Sequence, residues 1–545
     1  MVVHRLFSTF RLFFLIISLI FTACQKEQTS SPRPQPLPQD PFVKVYFNNN
    51  QTQGADYTDI YREITRPGDD LETIIIEEIN SAKNTIDVAV QEFRLPQIAQ
   101  ALAKKQQAGV QVRVILENTY NRPWSSLTTA EVSQLDAREK TRYLDAIALI
   151  DLNKDNQLSP AEINERDALI ILKNANIPII DDTADGSQGS GLMHHKFVVI
   201  DNFTVITGSA NFTTSGVHGD LLSPASRGNA NNILVIKDTP LASLFTKEFD
   251  LMWGDGVDRN LDSKFGLQKP FRPAQKLIIG DSIVSVQFSP TSTSLPWSDT
   301  SNGLIGNMLK NATQTVDLAL FVFSEQKLAD ILETRHQQNV EIEALIDPSF
   351  AFRNYSEGLD MLGVALSNKC QYEANNRPWQ TPIAAVGVPR LPEGDVLHHK
   401  FGIVDEKTVI TGSHNWSAAA NHTNDETVLV IENSTVAAHF NREFERLSTK
   451  AVLGVPIAIQ EKITAQEQKC PQITTASEEN IPQGLININT ATQKELESLP
   501  GIGPKLAQRI IQTRQEQPFT SLEDLQRVSG IGSSLVDKLE GRVTW

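Results

Sequence analysis

"HHKFVVIDNFTVITGSANF", residues 194–212, and "HHKFGIVDEKTVITGSHNW", residues 398–416, decide how this chain is read. Each is a pair of apolar, strand-forming runs joined by a polar turn, and each begins with two histidines and a lysine. His, Lys, Asp, Gly, Ser and Asn recur at the same internal spacing. In a strand, residues two apart share a face, so His194 and Lys196 point one way and His195 the other, as do His398 and Lys400 against His399. One histidine at a strand end is usually a hydrogen-bonded surface residue. Two matched His and Lys pairs in one chain indicate a site.

The repeat extends beyond the hairpins. "AKNTIDVAVQEF" (residues 82–93) and "ATQTVDLALFVF" (312–323) share Ala, Thr, Asp, Ala and Phe at equal spacing, each between helical stretches. The first half reads as a strand at Val43 to Phe47, an amphipathic helix near Leu71 to Ser81, this strand, a helix near Leu95 to Ala108 and the strand "VQVRVILE"; the second repeats the series from Ile283 through "VEIEALID". Near-continuous apolar strands between helices predict a sheet covered on both faces, an α/β sandwich. If two such halves pack about a pseudo-twofold axis, both His and Lys pairs meet in one pocket. That constellation suits a phosphate. The lysines neutralise its oxygens, Asn211 and Asn415 on the neighbouring strand donate amide hydrogens, and Gly208 and Gly412 let the anion approach the backbone. One imidazole can attack phosphorus while the other protonates the leaving alcohol.

The chain is 545 residues long, 40% hydrophobic and 21% charged, enough for two or three domains. Its formal net charge of -16 argues against a broad basic surface that wraps nucleic acid, so any DNA contact is local.

Two copies of H-x-K-x4-D-x6-G-S-x-N resemble the signature of the phospholipase D superfamily, over roughly Val43 to Leu447. The resemblance implies two homologous α/β sandwich halves sharing one active site, and phosphodiester cleavage through a phosphohistidine with no metal in the chemistry. It assigns His194, Lys196, Ser209 and Asn211 with His398, Lys400, Ser413 and Asn415 to the site, and makes Asp201 and Asp405 structural. It also places a carboxylate behind a catalytic histidine: Glu426, in "NDETVLVIE", is expected behind His398, where the first-half segment "NANNILVIK" has Asn231. A carboxylate keeps an imidazole protonated, which makes His398 the general acid and His194 the nucleophile; the same carboxylate could instead orient the nucleophile's tautomer.

Asp317 follows Asp87 by 230 residues while His398 follows His194 by 204, so the first half carries about 26 more. The insert, about 138–172, holds "DLNKDNQLSPAE", with Asp151, Asn153, Asp155, Ser159 and Glu162 at loop positions one, three, five, nine and twelve and Gln157 offering a carbonyl. This is the spacing by which an EF-hand wraps Ca²⁺, with Asn156 where Gly is the rule. A structural Ca²⁺ is expected there. The bland alternative is a polar turn between helices.

The tail, 484–545, holds "PGIGPKLAQRI" and "SGIGSSLVDKL", each a Gly-x-Gly turn opening a helix, with capping boxes at Thr492 with Glu495 and Thr520 with Glu523. It resembles the tandem helix-hairpin-helix domain of competence-type DNA receptors, a small all-α module. The resemblance implies that the turns at Gly501, Gly503, Gly530 and Gly532 present backbone N–H groups to DNA phosphates without reading bases.

At the other end, Arg5 and Arg11 lead into an apolar run, Leu12 to Phe21, too short for a comfortable membrane span. With Thr22 and Ala23 before Cys24, it resembles a bacterial lipoprotein signal, Cys24 becoming the lipidated residue. The expected layout is a signal at 1–24, a polar tether at 25–42, halves at 43–265 and 283–447, a linker at 448–483 and the tail. Cys370 and Cys470 could pair or stay free. Three functions fit: an exported, membrane-tethered nuclease of the cell envelope, a phospholipase D or phosphatidyl transferase acting on phospholipid, and a non-catalytic DNA receptor. Nothing in the sequence sets an oligomeric state, and a monomer is compatible with one shared pocket.

Overall fold

The computed structural model describes residues 35–50, 56–187, 191–256, 260–373 and 375–470, and in the tail 473–475, 486–497, 499, 502–519, 521–528, 530–531, 535–536, 539 and 542–545. The signal segment with Cys24, and Thr520, Gly501 and Gly532 of the tail, lie outside the described residues. Among the described residues no helix is long and apolar enough to cross a membrane.

The first half is a seven-stranded sheet in the order 43–47, 232–237, 204–208, 196–200, 85–90, 111–116, 179–181. The second repeats that order as 282–288, 427–432, 408–412, 400–404, 315–320, 341–346, 386–388, with an extra strand at each edge, 275–279 and 452–453. In each, the histidine hairpin pairs antiparallel with the central strand, which pairs parallel with the next. The strands are apolar along most of their length because both faces of each sheet are covered. One core joins the halves: Val45, Phe197 and Leu234 of the first sheet and Val286, Phe401 and Leu429 of the second pack with Phe245 and Phe249 of helix Thr239–Trp253 and Phe440 of helix Ser434–Ser448. Separate outer cores bury helices Leu71–Ser81 and Pro96–Gln107 in one half and Ser301–Lys310 and Gln326–His336 in the other.

Backbone bonds cross the interface reciprocally. His194 N–H donates to Asp425 O at 3.0 Å and His398 N–H to Ala230 O at 3.1 Å. The start of each histidine hairpin is thereby fixed by the opposite half.

The extra residues of the first half are the helices Thr129–Gln134, Ala137–Ile150, Pro160–Arg166 and Ala168–Asn174, where the second half has, among the described residues, one short α-helix, Glu357–Met361. Cys370 and Cys470 form a disulfide, and Gln371–Tyr372 pairs with Thr474–Thr475, so the linker is held to the second half. The tail has its own core around Leu496, Ile510, Leu525 and Leu539, with Thr492 and Glu495 bonded as a capping box and a two-residue parallel pair, Ile486–Asn487 with Val543–Thr544, closing its ends.

Candidate active site

His194 and His398 stand just ahead of strands Lys196–Ile200 and Lys400–Val404, and each lysine Nζ donates to the carbonyl of its own histidine at 2.8 Å. The two pairs lie close enough across the interface to act on one another. Burial, then Lys196 and Lys400, push His194 well below the usual imidazole range, and burial, Lys400, Lys196 and His194 do the same to His398. Each histidine thus feels the other half's lysine, as a shared site requires. Burial also brings Lys196 down to about 7, against the pull of Glu426 and Glu92, and pushes Lys400 well down, with Lys196 adding to the shift.

One expectation is corrected. Glu426 does not lie behind His398: its Oε2 is 2.6 Å from His194 Nδ1, across the interface. His398 Nδ1 instead donates to Asn231 Oδ1 at 2.9 Å, an orientation of the amide fixed by its Nδ2 donating to Gly216 O and its Oδ1 accepting from Ser209 Oγ. The exchange follows from the interface bonds above, which lay the residues before each final strand over the opposite half's histidine. An Nδ1–H held by a carboxylate leaves the His194 Nε2 lone pair free, which is the geometry that the alternative reading of that carboxylate calls for.

Two smaller corrections concern the anion-binding turn. Asn211 and Asn415 lie beyond the ends of strands Thr204–Gly208 and Thr408–Gly412, where the chain turns out of the sheet. Gly208 and Gly412 are required by the neighbouring chain, since a Cβ would fall 2.2 Å from Asn232 O or Thr427 O. Ser209 and Ser413 mirror each other, accepting through Oγ from the N–H of Asn232 at 3.1 Å and of Thr427 at 3.0 Å.

Asp201 and Asp405 lie at the hairpin turns with φ of 52° each. Asp201 accepts from the N–H of Lys83, Asn84 and Thr85 at 2.7, 2.7 and 2.9 Å, and Asp405 from Thr313, Gln314 and Thr315. They tie the hairpin to the start of the central strand.

Several residues support these side chains without having been assigned to the site from the sequence. Gln91 Oε1 accepts from Lys196 Nζ at 3.2 Å and Asn211 Nδ2 at 3.3 Å. His195 and His399, on the opposite strand face, reach across to Thr427 Oγ1 at 2.9 Å and Asn232 Oδ1 at 3.2 Å, and are backed by Glu248 and Glu443 of the two central helices. Their doubled spacing in the repeat was the available signal. His414 is 2% exposed where the first half has Ala210. Burial takes its ring to about 4, opposed first by Glu426.

In the EF-hand-like loop, Asn156 takes the left-handed φ of 63° that the turn demands, and Asp151 Oδ2 accepts its N–H at 2.8 Å. Glu162 closes the loop, accepting from the N–H of Leu152 at 3.0 Å and of Ser159 at 2.9 Å. Both carboxylates thus accept from the loop's own N–H groups and close it on itself. Among the described residues, however, no three His, Cys, Asp or Glu side chains converge closely enough to hold an ion, Asp151, Asp155 and Glu162 included.

In the tail, Gly503 caps helix Pro504–Glu516 with nothing within 4 Å of a notional Cβ, and Gly530 has φ 103° with the Arg509 guanidinium 3.1 Å from one.

A family model described as "Cardiolipin synthase, PLD-like domain" matches residues 75–253 and 305–448, and one described as "Helix-hairpin-helix motif" matches 482–544. Mitochondrial cardiolipin hydrolase of Mus musculus is 31% identical over 156 residues, 28% of this chain and 61% of that protein. ComE operon protein 1 of Bacillus subtilis is 44% identical over 61 residues, 11% of this chain and 30% of that protein. The alignments with the first curated relatives span between 53% and 61% of their length. Among solved structures, phosphatidylserine synthase of Haemophilus influenzae covers 81% of this chain and 97% of its own at 13% identity, with a TM-score of 0.46.

Proposed function

Because the chain belongs to the PLD-like domain family over two matched halves, we propose that it is a phosphodiesterase, and specifically an exported, membrane-tethered nuclease acting on DNA. The observation that carries the choice of DNA is the helix-hairpin-helix match in the tail. Such turns hold a phosphate backbone through N–H groups and need few basic side chains, so the net charge of -16 is no obstacle. Export is supported by the Cys370–Cys470 disulfide, a bond that persists in oxidising compartments, together with the signal-like segment ending at Cys24.

In the proposed reaction His194 Nε2 attacks phosphorus as the bond to the leaving oxygen breaks, and His398 Nε2 gives that oxygen its proton. Lys196 and Lys400 hold the phosphoryl oxygens, and the bound anion raises the proton affinity of His398. Water then attacks the phosphohistidine, losing a proton to His398 and releasing His194. No step uses a metal. A structural Ca²⁺ in the insert is part of the same proposal; since the carboxylates do not converge in this structure, it requires Asp151, Asn153, Asp155, Gln157 and Glu162 to close around the ion.

The second reading, phospholipid as substrate, is favoured by the family description and by the name of the mouse relative. A DNA receptor without catalysis leaves two complete histidine, lysine and asparagine sets without a use. Protein from Leu37 onward, offered plasmid, single-stranded DNA and phospholipid vesicles with EDTA present, separates the three. Cleavage of DNA alone supports the proposal, and hydrolysis of lipid alone replaces it. Deleting residues 484–545 should raise the DNA concentration for half-maximal rate and spare a small chromogenic diester.

A further inference from the structure

Gln91 and Phe321 hold the same place in the two halves. Each follows the central strand of its sheet, and each donates its backbone N–H to the second histidine of its own motif, Gln91 to His195 O at 3.1 Å and Phe321 to His399 O at 2.8 Å. Their side chains treat the motif lysines differently. Gln91 gives Lys196 and Asn211 a shared acceptor. Phe321 has none to give: Lys400 Nζ stands over its ring at 4.8 Å from the centroid, a cation–π contact. The same ring meets the His398 ring edge-on at 4.9 Å and the Phe350 ring at 4.7 Å.

Phe323, two residues on, is 1% exposed and belongs to the outer core. Phe321 and Phe350 are only partly buried, so the aromatic pair keeps accessible surface beside the imidazole that protonates the leaving group. We propose that Phe321, backed by Phe350, is a specificity-determining wall that stacks a nucleobase on the leaving-group side of the scissile phosphate. This rests on the nuclease reading above and names where that substrate is recognised. A flat neutral heteroaromatic suits the wall. A cationic head group meets the Lys400 ammonium already seated on the ring, and an acyl chain would lie against the charged and polar groups of Lys400 and His398. Stacking is tolerant of base identity, in keeping with a tail that reads backbone.

The test compares kcat/KM of the full chain on a dinucleoside phosphate and on its analogue lacking the leaving-side base, for the natural protein, Phe321→Gln, which installs the first-half residue, and Phe321→Trp. Removing the base should cost the natural protein about tenfold or more, Phe321→Gln little, and Phe321→Trp at least as much as the natural protein. Because each variant is compared with itself across two substrates, a general loss of activity cancels. An equal penalty in the natural protein and Phe321→Gln overturns the wall while leaving the nuclease reading in place. Cleavage of neither dinucleotide, with phospholipid hydrolysed, overturns both.

Discussion

His194 Nδ1, in the first half, lies 2.6 Å from Oε2 of Glu426, in the second. Neither half holds a complete site. Glu426→Gln should lower kcat by on the order of 10²-fold with a small change in KM, because it removes the group that orients the nucleophile and stabilises its phosphorylated, positively charged ring. Steady-state kinetics on a small diester decide it. A fall in kcat of twofold or less would refute the role.

The pH dependence of kcat/KM should peak on the acid side of neutrality. Burial and the two ammonium groups hold His194 well below the usual imidazole range, so it stays unprotonated and nucleophilic in mild acid. Lys196, with its pKa near 7 through burial, binds an anion only while protonated, and that form is lost as pH rises through this value. Lys400 is pushed down as well, so the alkaline limb should begin no higher than about neutrality. A limb beginning only above about pH 9, near an ordinary lysine, would count against a charged Lys196 in substrate capture.

Asp201→Ala should destabilise by about 0.5–1.5 kcal/mol at pH 7, since it takes a charged acceptor from three backbone N–H groups, two of which lie where water can replace it. Burial opposes ionisation, but those three bonds win and hold the Asp201 carboxyl below its usual range. A depressed folded-state pKa contributes stability above the unfolded value that is lost as pH falls. The gap in denaturant midpoint between natural and variant protein should therefore narrow in acid. Asp405→Ala should behave alike, and a gap independent of pH would contradict the account.

Ca²⁺ should raise the melting temperature with half-saturation at about 10⁻⁴ to 10⁻³ M, the range of extracellular loops of this kind, while initial rates in EDTA stay close to those in Ca²⁺. Glu162→Gln should abolish the shift. Calorimetry with and without the ion checks this, and no shift up to 10-fold above that range would reduce the loop to a self-closed turn, as its Glu162 and Asp151 hydrogen bonds allow.

The sequence by itself determined the duplicated α/β halves, the paired histidines and lysines, the insert and the tail, because these are encoded in period and spacing. The residues at 82–93 and 312–323 carry the central strands, and helix Leu71–Ser81 has the bounds its apolar period predicts. Tertiary structure alone decided which carboxylate serves which histidine. Glu426 is 28 residues from His398 and 232 from His194, and local reading pairs the near one. The halves instead exchange the backbone ahead of their final strands, Asp425 O taking the His194 N–H and Ala230 O supporting His398, and that exchange carries Glu426 to the far histidine and Asn231 to the other. Likewise Gly208 and Gly412 look like openings for an anion until the adjacent chain is seen to occupy the space. Contacts made across a pseudo-twofold axis depend on packing of two whole sheets, and no spacing within either half records them.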